Sequence, residues 1–164
     1  MANGSSGINS AVAGRQSFRS VPRCTVQETR EPTDMKSHTG ATLRVIDVPD
    51  IRVGGHYSPA MVAGGFVFVA GQTPRDANRD VVGNTIEEQT AAALDNVVKV
   101  LAAAGATLDN IVKTTIYITN LGLFQRCNTV YARYFTNHKP ARTTLECGLQ
   151  GVLIEIDVVA YVGM

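Results

Sequence analysis

The sequence predicts an α+β fold, a mixed β-sheet with two helices packed on one of its faces. The order of patterns is strand, hairpin, helix, strand, helix, strand, strand. Gly64-Gly65 between two short apolar runs is a hairpin signal. Thr85-Ile86-Glu87-Glu88 is a capping box that opens the first helix.

Residues 42–48 alternate as a strand ended by Pro49, and residues 54–59 form a loop whose glycines and proline set turns. Strands over 61–63 and 66–70 flank the hairpin; Gly71-Gln72-Thr73-Pro74 breaks the run and 76–83 is a polar loop. The first helix presents Leu94, Val97, Val98 and Leu101 inward and stops at Gly105. A strand over 111–118 follows. Asn120 can cap a second helix with inner residues Phe124, Cys127, Tyr131, Tyr134 and Phe135, closed by Pro140. The last strands cover 143–147 and 152–162. So many apolar strand positions leave one sheet face exposed in a monomer, which predicts a homo-oligomer.

The chain divides into an N-terminal extension, residues 1–40, and a folded domain, residues 41–164. The extension is rich in Ser, Gly, Asn, Arg and Thr without periodicity and is expected to be disordered. Its first 27 residues hold Arg15, Arg19 and Arg23 and no acid, a transit-like composition. An expression leader or tag, with Met35 as an alternative native start, fits it equally. Hydrophobic content of 45% and charged content of 18% belong to a globular domain of this size. No apolar run reaches the length of about 18 residues that marks a membrane helix. Residues 35–164 carry eleven basic and eleven acidic residues, a neutral domain that counts against nucleic acid as the main partner. Cys24, Cys127 and Cys147 and the scattered histidines have no pairing or metal-like spacing. This fits a reducing compartment such as the cytoplasm, with no disulfide framework and no bound metal. A mitochondrial or plastid address is the alternative if the extension is a native transit segment.

Two charged residues stand out because they interrupt strand-like runs. Arg142 follows Pro140-Ala141 at the mouth of a strand, where a guanidinium can grip a carboxylate or phosphate; a salt bridge to Asp157 or Glu155 is the structural alternative. Glu155 lies between Ile154 and Ile156 and points away from both, placed either to handle a proton or to block edge pairing. Tyr57, in a glycine-bounded loop, can offer a phenol to a ligand or cap the core. Gly71 either lets a ligand approach its backbone or is an ordinary turn glycine. Asp95 and Lys99 form an i,i+4 pair of surface type, and Glu146 and Asp157 face solvent or a subunit contact. No nucleophile elbow and no glycine-rich phosphate loop is present.

In their order along the chain these segments resemble one family. Gly55-His56-Tyr57-Ser58-Pro59-Ala60, Phe66-Val67-Phe68-Val69-Ala70-Gly71-Gln72, Glu88-Gln89-Thr90, Ile111-Val112-Lys113-Thr114-Thr115, Asn128 with Tyr131, Pro140-Ala141-Arg142-Thr143 and Ile154-Glu155-Ile156 resemble the RidA (YjgF-type) reactive-intermediate deaminases across about residues 41–162. The resemblance implies a chorismate-mutase-like fold, a homotrimer with sites between subunits, and no cofactor or metal. It implies hydrolysis of 2-aminoacrylate-type enamines and imines such as 2-iminopropanoate to 2-keto acids and ammonia. Arg142 would hold the substrate carboxylate and Glu155 would position or activate water. Tyr57, Ala70, Gly71 and Thr144 would line the substrate site. Ala70 stands where many members carry Ser, and Thr144 where some carry Cys. The link from Cys147 to Gly151 is shorter than in typical deaminases and lacks their proline. A larger unsaturated amino acid of the aminomuconate kind, a small-carboxylate binder or chaperone-like trimer, and an endoribonuclease are the rival readings.

Overall fold

The structure is a computed structural model and describes residues 43–163. The expected disordered extension over 1–40, with Cys24 and His38, and the start of the first strand lie outside the described residues. Six strands make one sheet: β1 (Arg44–Ile46), β2 (Ala60–Ala63), β3 (Phe66–Gln72), β4 (Ile111–Ile118), β5 (Ala141–Glu146) and β6 (Ile154–Tyr161). Their spatial order is β1-β2-β3-β6-β4-β5. All neighbours are antiparallel except β4 and β5, which run parallel. Helix α1 (Ile86–Ala103) carries the chain from β3 to β4, and α2 (Phe124–Tyr134) crosses from β4 to β5. Parallel neighbours need such a crossover.

Strict alternation decides which face each helix covers. On β6, Ile154, Ile156, Val158 and Ala160 are buried while Glu155, Asp157 and Val159 are half-buried. Thr114, Ile116 and Ile118 of β4 pair with Val158, Ile156 and Ile154 and join the same buried layer. Leu94, Val97, Val100 and Leu101 of α1 and Cys127 and Tyr131 of α2 pack against it. The two-helix, one-face architecture is therefore as the sequence predicts.

Four local expectations are corrected. Val98 is 39% exposed; the inner stripe of α1 runs through Val100 instead, two residues on and about 200° round the helix. β3 continues through Gly71 and Gln72, with Ala70 and Gly71 bulged against β6 between the paired Val69 and Gln72, where a break is expected. Asn120 caps a short 3-10 turn, Leu121–Leu123, that leads into α2, and α2 ends at Tyr134, well before Pro140. Asp95 accepts from the Tyr134 hydroxyl at 2.8 Å while Lys99 turns to Asn96, so the helical ion pair is not made.

The expected capping box is present. Thr85 Oγ1 accepts from the Glu88 amide at 3.3 Å, and Glu88 Oε2 accepts from the amides of Asn84 and Thr85. Those backbone hydrogen bonds hold the Glu88 carboxyl below its ordinary range. Thr85→Ala is expected to lower unfolding free energy by about 1 kcal/mol in urea titration. An unchanged midpoint would mean that α1 is held by packing alone.

The face opposite the helices carries Phe66, Phe68 and Tyr161, each more than a third exposed, with Phe66 and Tyr161 rings 4.9 Å apart. This is the apolar sheet face from which an oligomer is expected.

Candidate active site

Arg142 is the second residue of β5 and pairs with Thr114, a fully buried residue beneath α2. Cross-strand partners share a face, so its side chain rises on the helix side. Nη1 donates to Asn128 Oδ1 at 2.9 Å, and the guanidinium carbon sits 4.7 Å from the Tyr131 ring centre and 5.5 Å from that of Phe124. Such stacking holds a cation without neutralising it. Tyr131 is itself fixed: its hydroxyl donates to Thr114 Oγ1 at 3.1 Å and its ring stacks on Phe135 at 4.3 Å. Among the described residues Arg142 has no carboxylate partner, so the salt bridge to Glu155 or Asp157 is not made. It borders a cleft of about 470 Å³ with Asn128, Tyr131, Ala132, Phe135, Lys139 and Pro140. Thr144, two residues along, pairs with the buried Ile116 and shares this face.

Glu155 pairs with Tyr117 and stands on the other face of the sheet. Burial raises its carboxyl above the ordinary value, and the negative charge of Asp157 adds to the rise. Asp157 is held in turn by the Tyr117 hydroxyl, which donates to Oδ2 at 2.9 Å. A cleft of about 370 Å³ includes Glu155, Tyr57, Gly71, Gly148, Leu149 and Gln150, so the short link after β5 does border it. Tyr57 is 52% exposed and accepts from the Gly54 amide at 3.1 Å, which fixes the phenol at the rim.

Gly71 has a defined task here. A Cβ built on it would collide with Glu155 Oε1 and lie 2.8 Å from Cδ and 3.0 Å from Cγ. The β3 bulge brings this bare backbone under the carboxylate, and bulges of this kind commonly re-aim a side chain beside a site. Ala70 is engaged through its backbone, donating to the Pro59 carbonyl at 3.0 Å and accepting from Gln72 Nε2 at 2.9 Å. It lines neither cleft of the single chain.

The structure thus gathers Tyr57, Gly71 and Glu155 in one cleft and places Arg142 in another, with Thr144 on the same sheet face as Arg142 but outside that cleft's lining. Within one protomer the two groups do not meet. Sequence reasoning missed Asn128 as the arginine's hydrogen-bond partner and passed over Arg52, Arg75 and Arg79 in the Glu155 cleft. It also missed Asn96, whose Nδ2 donates to the carbonyls of Thr73 and Arg75 at 3.0 and 2.8 Å. Asn96 is buried at helical spacing from Ala93 and Val100, and a polar residue inside that stripe was the available signal.

Glu155 offers a test that needs no substrate. A carboxyl with a raised folded pKa binds protons that the unfolded chain has already released, so stability is lost as pH rises from the unfolded value through the folded one. Glu155→Gln removes that cost. Its melting temperature is expected to exceed wild type at neutral pH, with the gap closing as pH falls below the ordinary carboxylate range. A gap that widens on acidification would mean the carboxylate is stabilised in the fold.

Residues 49–162 match the family described as Endoribonuclease L-PSP. The RutC family protein PH0854 of Pyrococcus horikoshii is 42% identical over 110 residues, 65% of this chain and 87% of its own. The mitochondrial protein mmf1 of Schizosaccharomyces pombe is 34% identical over 151 residues, 89% of this chain and 86% of its own. Among solved structures, YyfA of Yersinia pestis, described as a conserved Rid protein of unknown function, is 40% identical with a TM-score of 0.70, over 74% of this chain and all of that one. TdcF of E. coli, crystallised with bound serine, is 27% identical with a TM-score of 0.67, over 72% of this chain and 98% of that one. The match spans every strand from β2 to β6 and both clefts, and the chain belongs to the Endoribonuclease L-PSP (YjgF/RidA) family.

Proposed function

We propose that the protein hydrolyses reactive imines and enamines of small 2-amino acids, such as 2-aminoacrylate and its imine tautomer, to 2-keto acids and ammonia. The observation that carries this reading is a cationic fork without a carboxylate partner, Arg142, in a chain that also holds a half-buried carboxyl of raised proton affinity, Glu155. The fork suits the α-carboxylate of such a substrate. The carboxyl, its proton affinity raised by burial, suits a proton shuttle.

In the reaction, Glu155 accepts a proton as water oxygen bonds to the imine carbon. It returns that proton to the carbinolamine nitrogen, and as the C–N bond breaks and ammonia leaves it takes up the hydroxyl proton while the C=O bond forms. An iminium is already a strong electrophile, so orientation and proton transfer carry most of the acceleration. Because Arg142 and Glu155 occupy opposite sheet faces, the complete site would form between subunits, with the arginine of one copy opposite the glutamate of the next. Burial of the Phe66, Phe68 and Tyr161 face would drive that assembly, and a homotrimer is the arrangement the family resemblance implies. The serine bound to TdcF supports a ligand of amino-acid size.

No helix among the described residues is long and apolar enough to cross a membrane. The alignment with mitochondrial mmf1 reaches beyond the folded domain into the arginine-bearing extension, which supports the organellar alternative over a cytoplasmic address.

The test couples a pyridoxal-phosphate serine or threonine dehydratase to this protein and follows keto-acid appearance. Acceleration that depends on Arg142 is the expected result. An assembled protein that leaves the rate unchanged would overturn the reading in favour of a binding role.

A further inference from the structure

The Glu155 cleft is lined by several cations. Arg52, Arg75 and Arg79 all line it, and among the described residues none has a carboxylate within ion-pair distance. Asp76 is the acid beside them, and its Oδ1 already accepts from the amides of Asn78 and Asp80. Three unpaired guanidinium groups around one cleft repel each other, and an arriving anion relieves that repulsion.

Their roles differ. Arg75 is structural: Nη1 donates to the Arg79 carbonyl at 2.8 Å and Nη2 to the Gln150 carbonyl at 2.9 Å. It pins the loop after β3 to the link before β6, while Asn96 of α1 anchors the loop from behind. Arg79 is placed at a cost. It is the non-glycine residue with a left-handed backbone among the described residues, φ 71°, where glycine or asparagine is favoured. Its guanidinium lies flat on Gly54, where a Cβ would come within 2.6 Å of Nη2, and Nη1 donates to the Arg52 carbonyl at 3.0 Å. The Arg52 side chain makes no hydrogen bond to any described residue and is exposed at the cleft mouth.

Arg52 belongs to the loop between β1 and β2 and Arg75 and Arg79 to the loop after β3, whereas Glu155 stands on β6 against Gly71. The cleft therefore joins a strand-borne carboxyl to loop-borne cations.

We infer that the substrate carries a second, distal anionic group, a terminal carboxylate or phosphate, held by Arg52 and Arg79 while the imine carbon lies near Glu155. This deepens the deaminase reading and rests on it for the chemistry, but the binding claim stands separately. The preferred substrate would be the imine of a dicarboxylic or phosphorylated amino acid, produced by an enzyme that oxidises or eliminates from such a compound.

Two measurements separate the claims. Calorimetric titration of the assembled protein would compare 2-ketoglutarate and 3-phosphohydroxypyruvate with 2-ketobutyrate, a keto acid lacking the distal anion. At least one dianionic ligand is expected to bind about tenfold more tightly or better. Arg52→Gln and Arg79→Gln, together, should remove that advantage and leave 2-ketobutyrate affinity within about twofold. Whichever dianion is preferred identifies carboxylate or phosphate. Equal affinity for all three ligands, or a double variant that weakens them equally, would overturn the inference whatever the catalytic outcome. The second measurement generates imines from glutamate and from alanine with amino-acid oxidases and follows imine loss by semicarbazide trapping. Preference for the glutamate imine, lost in the double variant, is expected if the dianion is a carboxylate. Tight dianion binding without hydrolysis of either imine would sink the deaminase reading and leave the anion site standing.

Discussion

Arg142→Ala is expected to reduce kcat/KM for imine hydrolysis by about two to three orders of magnitude, because a charge-assisted contact to the substrate carboxylate is lost from a desolvated site. The fold should survive. Arg142 lies on the outermost strand, its side chain's only hydrogen bond among the described residues is to Asn128, and its other support is stacking on Tyr131 and Phe124. Arg142→Lys is the sharper variant. It keeps the charge but loses the planar fork and the stacked face, so most of the loss should persist. Steady-state kinetics with a melting curve for each variant checks both points. Retention of activity in the alanine variant would remove the arginine from the site, and full rescue by lysine would show that only its charge matters.

Gly71→Ala is the second large effect, expected from one added methyl group. Its Cβ would occupy the space now held by the Glu155 carboxylate, so the carboxylate must swing away. Gly71 has no left-handed backbone, so alanine is tolerated conformationally and the disturbance stays at the side chain. Displacing a proton-transferring group by about 1 Å can cost on the order of 10²-fold in rate, and kcat should carry the loss while KM changes little. Combined with Glu155→Ala, the glycine substitution should cost nothing further, since the group it displaces is gone. Additive losses in the double variant would assign Gly71 a role of its own, such as a backbone contact to substrate.

The layered architecture was legible because alternation and helical spacing are dictated by burial. β6 shows it plainly: its buried residues are all apolar and its charges fall on the other face. The same rule shows why Arg142 and Glu155 cannot meet in one chain, yet strand pairing is needed to apply it. Nothing in the sequence says that Arg142 stands opposite Thr114 and Glu155 opposite Tyr117. In sequence the bulge at Gly71 is indistinguishable from a break, because glycine weakens a strand pattern whether the strand ends or bends. Arg52, Arg75 and Arg79 escaped notice because they lie in loops with no periodicity, and only the tertiary ties from Asn96 and Gln150 bring them to one cleft. Val98 sits about 40° beyond Leu94, just past the edge of the buried stripe, where an apolar residue reads as part of it.

The division of one active site between neighbouring copies is tested most directly by mixing two inactive variants. Arg142→Ala retains a functional glutamate, and Glu155→Gln retains a functional arginine. Co-expressed in equal amounts in a ring where each site joins one arginine to the next copy's glutamate, about a quarter of sites should carry both native residues. Imine hydrolysis near that fraction of wild type, from two variants that are each inactive alone, is the predicted result. No recovery from mixed oligomers, verified by two different affinity tags, would contradict a shared site and return both residues to a single chain.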